Sequence, residues 1–453
     1  MKRVDLITGR ERWAVKSTGV LCLLLLFPLS VLAQTTVSTI EGTIKDAQGS
    51  VVAGAQVVVK SPSLGIERTA TSDANGFYRV TALPAGIYTL SISHTGFAAR
   101  TFDNVELTVN RTLTLDIPLE VGAVSEQVDV VEYAQLLNPT TAATGTTITP
   151  QQIREMPTNG RNYLDLMQLV PGVVINRQAN VGSDNSTPVL GERAGNNNFL
   201  IDGQPNKDTV NGGAASQFNQ ETIAEFQVLT AGFRAEFGQA SGAIVNVITK
   251  SGGNEYHGLA SIFFRNNVFD TSNSLDPTED EAPFLQRWDY SLALGGPIVK
   301  DKVFFFGSGE RIRENRRLNF IFPPGTPQVA RNFENQFGNP ARIFDTRGFL
   351  KFDEQLGGHS LSQSVSYTNG NVREFLPLSN ATDLPSRRND TGARHLLLGF
   401  SDTVLAGDRS NPWVLTLRGG YRGDTSETRP AHPEAGVGTT FNMFSSNNTG
   451  GLF

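Results

Sequence analysis

Residues 241–252, S-G-A-I-V-N-V-I-T-K-S-G, form the most telling run in this 453-residue sequence. Its centre, A-I-V-N-V-I-T-K at 243–250, reads as a β-strand. Upstream, Phe199-Leu200-Ile201 reads as a buried strand that closes in the turn Asp202-Gly203, where Gly supplies the positive φ. Residues 226–230 give a further strand, and residues 221–225 are compatible with a short helix. Further back, Thr149-Pro150-Gln151-Gln152 is a helix start, with Thr as N-cap, Pro at N1 and Gln three residues after the cap. Asn159, Gly160, Arg161 and Asn162 read as a turn. After it, Tyr163, Leu166, Met167 and Val170 recur at i, i+3, i+4 and i+7, one apolar helix face ended by Pro171-Gly172. The middle of the chain is therefore α+β.

Towards the N-terminus the texture changes to short strands divided by turn chemistry. Residues 38–45, 55–60, 77–83, 87–94 and 112–117 are β-rich and partly alternating. Between them lie Asp46-Ala47-Gln48-Gly49, Asp73-Ala74-Asn75-Gly76 and Pro84-Ala85-Gly86, each with a turn starter and a Gly. Strands at this spacing make a small β-sandwich. Towards the C-terminus, longer alternating segments take over. Trp288, Tyr290, Leu292 and Leu294 alternate with Asp289, Ser291 and Ala293; Leu361, Val365 and Tyr367 alternate with serines and Thr368, with Gln363 as a break; Trp413, Leu415, Leu417 and Tyr421 lie opposite Thr416 and Arg418. With further candidates at 256–264, 303–308, 348–353 and 395–403, about seven strands are predicted. An apolar face against a small polar face, with aromatics near the segment ends, fits transmembrane strands with lipid outside and a wet lumen inside.

The N-terminus reads as a secretory signal peptide. Lys2, Arg3, Arg10, Arg12 and Lys16 precede the apolar run V-L-C-L-L-L-L-F at 20–27, and Val31-Leu32-Ala33 forms a small-residue exit, which predicts cleavage after Ala33. The single cysteine, Cys22, lies inside that run, so the mature chain is expected to have no disulfide and no thiolate chemistry. Net charge is −6, and removal of residues 1–33 makes it −9, with no dense Lys/Arg block, so nucleic acid is not an expected partner. Beyond Ala33 no run is long and apolar enough for a transmembrane helix. Enzyme signatures are missing from the inventory: no P-loop, no G-x-S-x-G elbow and no G-x-G-x-x-G after a strand. The five histidines (94, 257, 359, 395 and 432) show no short metal-ligand spacing, and the acidic run 279–281 reads as a solvated loop. No catalytic residue, metal or cofactor is assigned.

Two resemblances organise these readings. Gly42–Lys45, Gly49, Gly54-Ala55, Val57, Gly76–Tyr78 and Leu83–Leu90 resemble the carboxypeptidase regulatory-like domain, an accessory prealbumin-like fold without catalytic residues of its own, for which a spacer role or glycan contact is implied. The motifs E-M-P-x-N-G-R-N-Y (155–163), L-x-P-G-V (169–173), F-L-I-D-G (199–203), residues 223–228, A-E-F-G (235–238) and the run 241–252 follow one another as in the plug domain of TonB-dependent outer-membrane transporters. Together with the sandwich, and with residues 295–306, the pattern resembles the Oar-like group of that family.

The expected fold is thus mainly β: a signal peptide (1–33), a carboxypeptidase regulatory-like, prealbumin-like β-sandwich (34–120), an α+β plug domain (121–254) and the first part of a transmembrane antiparallel β-barrel (255–453). The resemblance implies a cell outer membrane receptor that takes up a scarce large ligand, an oligosaccharide, peptide or metal chelate, by TonB-driven displacement of the plug. Implied partners are TonB, outer-membrane lipid and an extracellular ligand, with a glycan among the candidates. A surface adhesion or carbohydrate-binding protein using the sandwich is the alternative. TonB captures an extended segment by strand addition, with loose sequence demands. Glu126, Gln127, Val128, Asp129, Val130 and Val131 are the best-placed such segment, and an ordinary interdomain strand is the competing reading. Asn159, Gly160, Arg161, Asn162, Asp202 and Gly203 carry the plug motif; Asp202 is expected to set its turn and Arg161 to pair within the plug or with the barrel wall. A barrel that encloses a plug needs on the order of 22 strands, so the chain reads as the N-terminal part of a larger transporter, and the final Phe453 as a coincidental match to a terminal aromatic.

Overall fold

The computed structural model describes residues 37–122, 127–130, 144–156, 158, 161–174, 187–208, 212–233, 237–270, 284–316, 325–337, 340–375, 389–407 and 413–431. The predicted signal peptide, Glu126, Val131, Asn159, Gly160, the acidic run 279–281 and Phe453 lie outside them.

The first layer pair is a sandwich. β1 (Ser38–Asp46) pairs with β4 (Phe77–Leu83), β7 (Thr112–Thr114) and β8 (Ile117–Leu119). The facing sheet has the order β3 (Ile66–Thr71), β2 (Gln56–Ser61), β5 (Gly86–Ser93), β6 (Ala99–Leu107), β9 (Gln127–Val130). Alternation does the packing: Val57 and Val59 on β2 and Tyr88, Leu90 and Ile92 on β5 point into one core with Ile40, Ile44 and Tyr78. The two buried tyrosines keep their hydroxyls bonded, Tyr78 to the Leu115 carbonyl at 2.8 Å and Tyr88 to the Pro84 carbonyl at 2.7 Å. The expected single strand over 112–117 is divided in two. At the break, the Leu115 carbonyl accepts the Tyr78 hydroxyl and Asp116 Oδ1 accepts the Thr43 amide at 2.7 Å, while the Leu115 amide still donates to the Glu41 carbonyl at 2.7 Å. Strands β3 and β6 escaped the sequence reading: β3 buries only Ile66 and Ala70, and β6 carries Asn104 at φ 57, which interrupts its alternation.

The second layer is a mixed sheet of order β10 (Thr144–Ile148), β13 (Ile223–Ala231), β14 (Ile244–Thr249), β11 (Asn198–Ile201), β12 (Gln204–Pro205), with only β11 and β14 parallel. Helix α1 (Pro150–Glu155) starts as predicted: Thr149 Oγ1 accepts the Gln152 amide and the Gln152 side chain accepts the Thr149 amide, a reciprocal cap. Two helix expectations are corrected. Residues Tyr163–Leu169 form a 3₁₀ rather than an α-helix, closed by i→i+3 bonds such as Asp165 N to Asn162 O at 3.1 Å. Squeezed between the Asn162 cap and Pro171, the tighter winding also buries Leu164 beside Tyr163, Leu166 and Met167. The helix over 221–225 shrinks to a single 3₁₀ turn, Gln220–Thr222, because Ile223 already enters the β13 ladder opposite Thr249.

The third layer is a seven-stranded antiparallel meander, matching the predicted number among the described residues: β15 (His257–Asn266), β16 (Leu285–Val299), β17 (Val303–Arg316), β18 (Ala341–Leu356), β19 (His359–Phe375), β20 (Asn389–Ala406) and β21 (Trp413–Pro430). The strands run well past their apolar stretches; β17 continues through Glu310, Ile312 and Glu314, which face inward. A short helix α2 (Gln328–Glu334) between β17 and β18 was not anticipated. Connections at one end are short (300–302, 357–358, 407–412), and at the other long (267–284, 317–340, 376–388). The predicted two faces are present. Tyr290, Leu292, Leu294, Val365, Tyr367, Leu415, Leu417 and Tyr421 are exposed, whereas Asp289, Ser291, Ala293, Ser366, Thr368 and Thr416 are buried. The buried face packs on the second layer: Ala293, Phe306, Phe349 and Leu397 complete the core built by Tyr163, Met167, Phe199, Phe226 and Val245.

Candidate functional site

The region that joins the mixed sheet to the wall of strands holds most of the residues singled out from sequence. Asp202 (φ 47) and Gly203 (φ 77) form the tight hairpin between β11 and β12. Both central residues adopt positive φ, which an Asp tolerates and a Gly prefers. The Asp202 carboxylate accepts the Thr249 amide at 2.9 Å and the Thr249 hydroxyl at 2.6 Å. On its outer side stands Lys351 of β18, 3.5 Å away and itself donating to Thr249 Oγ1 at 3.2 Å. Asp202 thus sets its turn, as expected, and also reaches the wall.

Arg161 sits at φ 57 and touches both the second layer and the wall. Its guanidinium donates to Glu221 Oε1 at 2.6 Å within the second layer, and sits 3.9 Å above the Phe263 ring of β15. Asn162 caps the following 3₁₀ helix by accepting the Leu164 amide at 3.0 Å. Asn159 and Gly160 lie outside the described residues.

Four contacting groups were invisible from sequence alone: Lys351, Glu221, Phe263 and Arg347. Arg347 of β18 is held by Glu310 at 3.1 Å and Asp345 at 2.7 Å, and reaches across to the Gln217 side chain at 3.2 Å. Thr222 and Ser308 share a hydrogen bond of 2.6 Å, and Gln204 donates to the Phe400 carbonyl at 3.2 Å. The layer is therefore held by separate polar clamps around a shared apolar core, where Phe218 meets Phe349 edge-on at 6.1 Å.

A different contact fixes the sandwich beneath this assembly. Glu225 of β13 is buried and its Oε1 accepts the backbone N–H of Val109. Burial pushes its carboxyl up to about 7, against the Val109 hydrogen bond that favours the charged form, with Glu106 raising it further. At the short-connection end, Asn254 donates to the Pro62 carbonyl at 2.7 Å and to Asp301 Oδ1 at 2.6 Å. Gly65 comes so close there that a Cβ would lie 2.9 Å from the Asp301 Cα.

The remaining sequence-predicted segment is placed apart from these clamps. Gln127–Val130 is strand β9, paired in parallel with β6 in the register Ala99↔Gln127 to Phe102↔Val130. Among the described residues, no three His, Cys, Asp or Glu side chains gather as metal ligands. His359 and His395 each face one carboxylate, Asp402 and Asp424, at 2.9 Å.

Comparison with known proteins agrees with this three-layer division. The carboxypeptidase regulatory-like domain matches residues 39–120, the TonB-dependent receptor plug domain residues 138–245, and an outer membrane beta barrel domain residues 248–396. The TonB-dependent transporter Oar of Myxococcus xanthus is 29% identical over 332 residues, covering 69% of this chain and 30% of that protein. The ferrienterobactin receptor of Escherichia coli is 29% identical over 175 residues, 35% of this chain and 21% of that protein. Among solved structures, the outer membrane transporter YddB from Escherichia coli aligns with a TM-score of 0.49 at 15% identity, covering 64% of this chain and 40% of that one. The matched part of the chain spans less than a third of the length of both curated relatives.

Proposed function

From the premise that the chain is a homologue of the TonB-dependent transporter Oar, with carboxypeptidase regulatory-like, plug and outer-membrane barrel domains, we propose that it works in TonB-driven uptake of a large extracellular ligand. Its relatives are outer-membrane transporters and receptors, not enzymes. The observation that carries the reading is the set of discrete polar clamps between plug and wall: Asp202–Thr249–Lys351, Arg161–Glu221 over Phe263, and Arg347–Gln217. Each such hydrogen bond exchanged for one to water costs only about 0.5–1.5 kcal/mol net, and about 1.5–3 kcal/mol where a charged group takes part. A plug fastened in this way is seated firmly yet can be withdrawn, clamp by clamp.

In this reading the short connections face the periplasm and the long ones the exterior, the usual asymmetry of outer-membrane barrels. The sandwich, tied to the short-connection end through Asn254 and Asp301, then lies in the periplasm. TonB takes the segment Glu126, Gln127, Val128, Asp129, Val130 and Val131 by strand addition and pulls on the plug that follows. Ligand classes consistent with such gated uptake are an oligosaccharide, a peptide or a metal chelate.

The test is direct binding of the periplasmic domain of TonB to the full chain in detergent. We expect saturable binding that is lost when Val128 and Val130 are both replaced by Pro, since Pro removes strand donors. Equal binding by that variant would exclude this segment; no binding by either would exclude TonB coupling.

A further inference from the structure

The edge of the sandwich at β6 receives the chain twice. Coming off β8, residues 120–122 run antiparallel to 96–98: Ala98 N donates to the Glu120 carbonyl at 2.9 Å, Phe97 bridges Val121, and Gly122 N donates to the Gly96 carbonyl at 3.4 Å. After four further residues, β9 lies parallel to 99–102. An antiparallel continuation would have carried the chain past Gly96 and away from β6. Instead the next four residues of the edge are covered by β9, which makes the one parallel pairing of that sheet among the described residues.

An extended strand has two hydrogen-bonding edges. One edge of β9 is spent on β6. In the sheet order β3-β2-β5-β6-β9 the other has no neighbour among the described residues. The segment is thereby held in β conformation, in a fixed register, with a row of backbone groups turned outward. We propose that the sandwich is a presentation platform: β6 pre-orders Gln127–Val130, and the partner strand, TonB's in the reading above on which this inference rests, adds to the outer edge of β9 as a sixth strand. Pre-ordering lowers the conformational cost of capture. It also accounts for a sandwich firmly docked on the barrel turns, because a platform must not drift from the plug it serves.

Cysteines at the register partners Thr101 and Asp129, in a Cys22→Ser background, can close a disulfide that locks β9 onto β6. With the full chain in detergent, the oxidised form is expected to bind the TonB periplasmic domain at least as tightly as the reduced form. Hydrogen exchange on the unmodified chain supplies a second reading. TonB should add protection within 127–130 without deprotecting 99–102. Weakening beyond threefold on oxidation, or loss of protection at 99–102 when TonB binds, would show that the partner must strip β9 from β6 and would overturn the platform. If neither form binds TonB, the transport reading itself fails and this inference goes with it.

Discussion

At Asp202 the backbone and the carboxylate answer to different parts of the chain. The backbone is set locally, by a two-residue turn with both φ angles positive. The carboxylate answers to Thr249 and Lys351, far away in sequence. Replacing Lys351 by Met keeps the bulk of the stem but removes the charge. We expect it to loosen the plug by about 1–3 kcal/mol, read as at least about fivefold faster hydrogen exchange at 244–249, with little change in the sandwich. Local chemistry of this kind is what the sequence displays: the Asp-Gly turn, the Thr149 cap and the pairing duties of Arg161 were all legible. Lys351 and Phe263 were not, because nothing near them in the chain states what they will face once the wall curves round the plug.

Elements were legible in proportion to their alternation. Strands such as Phe77–Leu83 emerged with their observed limits, whereas β3 and β6, with few buried positions, did not. Helical spacing misled in one place, since Tyr163, Leu166, Met167 and Val170 fit an α-helix in sequence but the capped, Pro-bounded segment winds as 3₁₀. On β13, one residue couples the element to solution conditions. The Glu225 carboxyl is raised to about 7 by burial, above its ordinary 4.5. The folded chain therefore holds this proton more tightly than the unfolded chain does. Stability from this group is present below about pH 4.5 and declines as pH rises towards 7, levelling off above. Thermal unfolding between pH 5 and 8 should show that decline, and Glu225→Gln should flatten it; an unchanged slope in the variant would assign the effect elsewhere.

In the whole molecule, the sandwich is joined to both other layers: to the plug through Val109 and Glu225, and to the barrel through Asn254, Asp301 and the close approach of Gly65. Gly65→Val brings a side chain against Asp301 at a positive φ of 64° and is expected to part the sandwich from the barrel. The Asn254 and Asp301 amides should then exchange faster, while Leu90 and Ile92 in the sandwich core keep their protection. This three-part plan was readable from motif order; the joints between its parts were not, since each brings together side chains and backbone atoms far apart in the chain. The plug sheet has a mechanical asymmetry of its own. The chain enters it through β10, an edge strand bonded to β13 alone, and leaves through β14, which is clasped on both sides by β13 and β11. A tug from the entry side can peel β10 like a strip of tape, a few bonds at a time, starting where Thr144 meets Ala231. The exit strand is gripped on both sides and runs on directly to β15, so on the transport reading proposed above the plug would remain anchored there while its entry edge gives way.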